Sequence, residues 1–308
     1  MRYAIIGAGG VGGYLGAKLA AHGAEVAVLA RGAHLAAIRE RGLTLRDTEG
    51  ETTVTPAAAG DDGAALGQAD VAIFAVKGQD LAGAIEAARP AIGPDTLALP
   101  FLNGVEAHLM LAEAYGPERA AIGIARISAF IEAPGVVRKA TPHADFLIGG
   151  LDGTQADPRI ARVIGEFRAA GITAPERRDV RIDLWQKFVF LTAVSATTAG
   201  ARVDLGTVRA TPELWALFRR LAEEAAAVAQ AHGIGLAQDA AERAVTGAEG
   251  MQGDVRASLA HDLAAGKRLE TDWLSGAVVR LGRAAGVDTP SHAAVAALLA
   301  PWREGGGA

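Results

Sequence analysis

Ala4-Ile5-Ile6-Gly7-Ala8-Gly9-Gly10-Val11-Gly12-Gly13-Tyr14-Leu15-Gly16 is the stretch whose reading decides the fold. An apolar run, a tight glycine turn and a helical pattern follow one another without a gap. Gly7, Gly9 and Gly12 stand at G-x-G-x-x-G spacing, the fingerprint of a dinucleotide-binding unit. The first glycine lets the chain turn sharply after the strand. The second removes a Cβ so that backbone can approach a pyrophosphate, and the third lets the helix pack closely on the strand. The helix N-terminus then presents unpaired N–H groups, and its dipole favours negative charge there. Gly7, Gly9, Gly10, Val11 and Gly12 are the predicted cofactor-binding turn. Glycine spacing alone is a weak signal in a chain with 39 glycines. The flanking pattern supplies the context: Tyr3 to Ile6 as strand, Tyr14 to His22 as helix, Glu25 to Leu29 as a second strand.

Working outward, the ends of the strands carry the next candidates, because ligands of open α/β sheets bind at the carboxyl ends. Strand 2 ends at Ala30-Arg31-Gly32, where an NAD site would carry an acidic residue for the ribose hydroxyls. Arg31 stands there instead. A guanidinium suits a 2′-phosphate, so NADP(H) is expected over NAD(H). Leu43 to Arg46 and Glu51 to Val54 read as strands around the Asp47–Gly50 turn, after a short helix from Ala33 to Arg41. The continuous apolar run Val71 to Val76 suits a parallel strand buried on both faces, and it ends at Lys77. Only five of the 30 basic residues are Lys, the other 25 being Arg, which makes each Lys worth a question. Thr96 to Leu99 is the next strand, and Asn103-Gly104 lies in the loop after it. Extended segments near Ala121 to Ile131, Gly135 to Lys139 and Phe146 to Ile148 read as strands extending the same sheet. A helix from Asp157 to Ala170 follows, with Asp157 as cap and Pro158 in its first turn.

Strands give way to helices after Thr173. Helices are expected over Leu184–Ala199, Pro212–His232, Leu236–Gly247, Val255–Ala265, Glu270–Ala285 and His292–Leu299. The predicted class is α/β: an N-terminal Rossmann-type domain over 1–175 and an all-helical domain over 176–308, with the cleft between them as the default site. The terminal run Glu304 to Ala308 has nothing to bury and reads as disordered. Lys187 lies among Trp185, Phe188 and Val189, and partial burial lowers a lysine's pKa toward that of a usable proton donor. Arginine does not release its proton, so it is no substitute. Ser258 and Asp262 are four apart on one helix face, and Glu270 follows. Ser258 can donate to a carboxylate and Glu270 can accept from a substrate hydroxyl; helix capping explains either residue equally well.

A net charge of −5 gives no electrostatic case for nucleic acid. With no cysteine, a thiol nucleophile and thiolate metal sites are excluded, and no metal site is expected. No apolar run reaches the ~18 residues of a membrane span. Without a basic n-region and cleavage site, a cytoplasmic location is expected. The apolar helical half is compatible with a homodimer and equally with a monomer core.

Together, Gly7-Ala8-Gly9-Gly10-Val11-Gly12, Arg31, Val76-Lys77, Asn103-Gly104, Lys187, Ser258…Asp262 and Glu270 give a series that resembles the ketopantoate reductase (2-dehydropantoate 2-reductase) family over nearly the whole chain. The resemblance implies NADPH-dependent reduction of ketopantoate to pantoate for pantothenate synthesis. It implies Lys187 as the residue protonating the alkoxide, and Glu270 as an acid contacting substrate and assisting catalysis. It places Asn103 at the nicotinamide and substrate end, Arg31 and Lys77 on the cofactor, and Ser258 on the substrate carboxylate. There is one departure. Where the family carries asparagines four and eight residues after the lysine, this chain has Leu191 and Ser195. Reaction class therefore transfers better than substrate, and a more apolar or differently substituted 2-oxo acid, or another carbonyl compound, is the alternative. A non-catalytic NADP(H) sensor is a third reading; it needs neither Lys187 nor Glu270.

Overall fold

The computed structural model describes residues 1–48 and 50–306. The opening apolar run forms β1 (Arg2–Ile6), and the glycine turn hands it to α1 (Gly10–Ala21). β2 (Glu25–Leu29), α2 (Gly32–Arg41), β3 (Leu43–Asp47), β4 (Gly50–Val54) and β5 (Ala58–Gly60) follow. Next come β6 (Ala69–Phe74), α3 (Leu81–Ala88), β7 (Ile92–Pro100) and α4 (Ala107–Tyr115). β8 (Ala121–Arg126), β9 (Ala129–Ala133), β10 (Val136–Lys139), β11 (Asp145–Gly150) and α5 (Pro158–Ala169) complete this half.

β1 is the centre of a five-stranded parallel sheet in the order β5-β2-β1-β6-β7. Tyr3 to Ile6 are fully buried, as an apolar run covered on both faces requires. Ile6 pairs with Leu29 on one side and Phe74 on the other, and Phe74 pairs with Pro100. The carboxyl ends of four strands thus lie side by side. The loops that begin there start at Gly7, Ala30, Ala75 and Phe101.

The later strands do not extend this sheet as expected. β9 and β10 join β3 and β4 in a separate four-stranded sheet, β4-β3-β10-β9. Its buried Leu43, Leu45 and Val137 need apolar cover, and α1 packs against that sheet. A Cβ added at Gly13 would lie 2.6 Å from Val137 Cγ2. β8 and β11 pair antiparallel, and β8 is preceded by a single parallel bridge from Ala98 to Ala120. Phe146 of β11 centres an aromatic cluster: it stacks on Tyr14 of α1 at 5.8 Å and meets Phe101 at 5.2 Å and Phe167 of α5 at 6.1 Å, both edge-on. Asp157 caps α5 as predicted, accepting from Arg159 N–H at 2.8 Å.

The helical half contains α6 (Val180–Gly200), α7 (Leu205–Ala210), α8 (Pro212–Ala231) and α9 (Ala240–Glu249). α10 (Ser258–Ala264), α11 (Ser275–Ala285) and α12 (Pro290–Leu299) follow. α7 was not foreseen; it is too short to show a period and is held by Asp204, which accepts from Thr207 N–H at 2.8 Å. The helix expected over Glu270–Ala285 is interrupted. Thr271–Trp273 form a 3-10 turn, and Leu274 (φ −113°, ψ −101°) breaks the chain before α11. His292 is fully buried, with Nε2 3.0 Å from the Leu221 carbonyl and Nδ1 3.2 Å from Ser275 Oγ. Burial pushes its pKa down to about 4. The Glu224 carboxylate accepts from the N–H groups of Ser291 and His292 at 2.9 and 3.0 Å, capping α12.

The tail expected to be disordered is attached through Gly306. Arg303 O accepts from Leu269 N–H at 2.9 Å, and Gly306 N–H donates to Gly266 O at 3.0 Å. Gly307 and Ala308 of that run, and Glu49 of the predicted Asp47–Gly50 turn, lie outside the described residues. The chain divides into two compact units: Met1–Leu102 with Glu106–Val180, and Asn103–Val105 with Arg181 onward. The expected boundary after residue 175 falls within the link before α6. The assignment of Asn103–Val105 to the second unit had no signal in the sequence.

Candidate active site

Gly7 has φ +95°, and its N–H and that of Ala8 both donate to Leu29 O, at 3.0 and 3.3 Å. The turn is thereby tied to the end of β2. A Cβ on Gly12 would overlap the Gly7 carbonyl oxygen, so the helix approach needs glycine there. Gly10 is constrained by packing as well, since a Cβ would overlap the Ala129 carbonyl of β9. A Cβ on Gly9, by contrast, would meet nothing within 4 Å. Gly9 caps α1 without a side-chain hydrogen bond, and no acidic residue occupies the first turn. Val11 is half-buried in that turn. Bare backbone donors facing open space, with no competing carboxylate, fit a dinucleotide pyrophosphate.

Arg31 is the N-cap of α2 in extended conformation (φ −138°, ψ 160°) and is exposed. Its guanidinium has no ion-pair partner among the described residues. Lys77 follows β6, half-buried, and its carbonyl accepts from Asp80 N–H at 2.9 Å. Beside it, the amide oxygen Oε1 of Gln79 is buried with no hydrogen-bond partner among the described residues. Sequence reading passed over Gln79; an amide in a Lys-Gly-Gln-Asp loop looks like any solvated turn residue.

In the second unit, Lys187 Nζ donates to Asn103 Oδ1 at 3.1 Å across 84 residues of sequence. Lys187 is half-buried on α6, two residues after buried Trp185 and next to buried Phe188. Trp185 is fixed edge-on to Phe188 (5.5 Å) and stacked near His232 (6.2 Å). An amide oxygen orients an ammonium without neutralising it. Asn103 is presented by a loop in which Gly104 has φ +97°, and a Cβ there would sit 3.1 Å from Trp273 O. The Asn103 loop therefore lies against the 3-10 turn that Glu270 caps. Glu270 is 7 % exposed, a buried carboxylate.

Ser258 is at the start of α10 and exposed, while Asp262, four residues on, is half-buried. The preceding Ala257 N–H donates to Thr198 Oγ1 of α6 at 3.4 Å. Leu191, one turn beyond Lys187, is half-buried. Two buried hydroxyls, Ser195 Oγ and Thr271 Oγ1, have no hydrogen-bond partner among the described residues.

A parallel sheet opened by a bare glycine turn, with a helical unit carrying a half-buried lysine and a buried carboxylate, defines the class: a nicotinamide-dinucleotide-dependent oxidoreductase. Comparison with known proteins narrows it. The profile described as ketopantoate reductase PanE/ApbA matches residues 3–153, and that of its C-terminal part matches residues 179–303. A 2-dehydropantoate 2-reductase of Mesorhizobium japonicum is 31% identical over 97% of each chain. A crystal structure of a PanE/ApbA family ketopantoate reductase from Ralstonia eutropha is 32% identical over 98% of each chain, with a TM-score of 0.89. D-mandelate dehydrogenase, solved with NADH and anilino(oxo)acetate, is 22% identical over 98% of each chain at a TM-score of 0.87, a likeness of fold. The chain belongs to the ketopantoate reductase family. It is an NADP-dependent oxidoreductase acting on CH–OH groups, with NADP(H) as cofactor. No helix among the described residues is long and apolar enough to cross a membrane.

Proposed function

We propose that this enzyme reduces a 2-oxo acid to the 2-hydroxy acid, with 2-dehydropantoate as its substrate and pantothenate synthesis in the cytoplasm as its setting. The observation that carries the reading is the 3.1 Å bond from Lys187 Nζ to Asn103 Oδ1. NADPH supplies the hydride when bound. The glycine turn from Gly7 to Gly12 holds its pyrophosphate, Arg31 its 2′-phosphate, and Lys77 further negative charge. Asn103 fixes the direction of the Lys187 amine. As the ketone carbon gains hydride, charge builds on its oxygen, and Lys187 stabilises that charge and gives up a proton to it. The product is the hydroxyl. Glu270 accepts from a substrate hydroxyl, and Ser258 donates to the substrate carboxylate.

A second substrate reading has its own observation. Half-buried Leu191 stands one helical turn from Lys187, where an amide would pair with a polar substituent. A 2-oxo acid with an apolar substituent suits that position. The test is NADPH oxidation by purified protein with 2-dehydropantoate, beside a panel of apolar 2-oxo acids and an NADH control. Efficient 2-dehydropantoate turnover supports the first reading. A faster apolar acid moves the substrate, and no turnover of any 2-oxo acid removes both.

A further inference from the structure

His34 stands in the first turn of α2, three residues after Arg31, and backbone groups take both of its ring nitrogens. Gly135 N–H donates to Nδ1 at 3.0 Å, and Nε2 lies 2.8 Å from the Ala8 carbonyl oxygen. A ring nitrogen that accepts a hydrogen bond carries no proton. The proton is therefore on Nε2 and is donated to Ala8. The ring is held as a neutral tautomer between the start of α2, the glycine turn and the β9–β10 turn. That last turn is itself anchored, because Gly135 O accepts from Thr44 N–H of β3 at 2.9 Å.

Ala8 is the residue between the first two glycines of the fingerprint. In a trans peptide the C=O and N–H of one unit point in opposite directions. Holding the Ala8 carbonyl on His34 thus turns the Gly9 N–H to the other side. Glycine on its C-terminal side leaves the Ala8–Gly9 peptide freer to turn over than one between two L side chains. Gly9 has no side-chain cap bond to fix it. Turned over, this peptide would present a carbonyl oxygen where an anion needs a donor.

We propose that His34 is a positioning residue for the dinucleotide: its Nε2–H grips the Ala8 carbonyl so that the Gly9 N–H faces the pyrophosphate. The proposal rests on the reading of the glycine turn as the pyrophosphate site. It is tested by NADPH fluorescence titration and thermal unfolding of wild type, His34→Ala, His34→Phe and His34→Gln. Phenylalanine fills the ring's volume without its hydrogen bonds; glutamine carries a donor and an acceptor on one group. Alanine and phenylalanine are expected to raise the NADPH Kd about tenfold. Turnover at saturating NADPH and the KM for the 2-oxo acid stay at wild-type values, and glutamine recovers most of the affinity. Unchanged Kd in the folded phenylalanine variant overturns the proposal, as does a glutamine variant as weak as phenylalanine. Wild-type protein that fails to bind NADPH overturns the pyrophosphate reading itself, and that failure is visible before any variant is made.

Discussion

The glycine turn and the lysine centre are built in opposite ways. From Gly7 to Gly12 the first is a contiguous piece of main chain, and its chemistry is the backbone N–H. The second draws Asn103, Lys187 and the Glu270 turn from three separate stretches, and its chemistry is in side chains. A site of main-chain donors leaves little to vary, because Gly10 and Gly12 each abut a backbone carbonyl. A site of side chains changes one residue at a time, as Leu191 and Ser195 illustrate. Cofactor and fold should therefore be stable properties of such proteins, and substrate the labile one.

The contrast can be broken most directly at Lys187. Lys187→Ala should lower kcat by about 10²–10⁴-fold, the usual span for a lost general acid, while the NADPH Kd stays within about twofold. Equal losses in both would mean that the two sites are not chemically separate. Acid should next weaken the helical unit. His292 is neutral when folded, its pKa lowered to about 4 by burial from an ordinary 6.5. The unfolded chain then binds the proton first, so this stability is complete above pH 6.5 and is lost as pH falls toward 4, by roughly 3 kcal/mol. Denaturant titrations at pH 7 and 4.5 should show that loss in wild type and a smaller one in His292→Gln. The glycine turn is probed by Gly12→Ala, whose Cβ overlaps the Gly7 carbonyl. A drop of about 1–3 kcal/mol in stability is expected, with weakened NADPH binding, in calorimetry and titration. The smallest effect belongs to a single surface charge. Arg31→Ala should weaken NADPH by about tenfold and leave NADH unchanged; parallel losses for both nucleotides would detach Arg31 from the 2′-phosphate.

The same contrast explains what was legible in the sequence. β1, the glycine turn and β2 are local, each specified by neighbours in the chain, and β2 lies where the pattern put it. The segment from Ala121 to Lys139 was read correctly as extended, yet its partners were not. Pairing of β10 with β3 joins residues about 90 apart, and nothing in either strand alone names the other. Lys187 was visible through its apolar flanks and the scarcity of lysine. Its bond to Asn103 was not visible, because Asn-Gly is ordinary turn chemistry until a distant amine reaches it. His34 was unreadable for a similar reason: both of its partners are backbone atoms, which leave no trace in residue type.

Asn103–Val105 group with the helical unit although the chain on either side of them belongs to the other. The polypeptide therefore passes between units at three points: after Leu102, after Val105 and after Val180. A gene fragment that begins at Arg181 would encode every helix from α7 onward and most of α6. It would still lack the amide that orients Lys187. Modular exchange of the helical half between relatives would need a three-residue graft from the donor's other half, or the hybrid would carry its lysine with a stranger's loop.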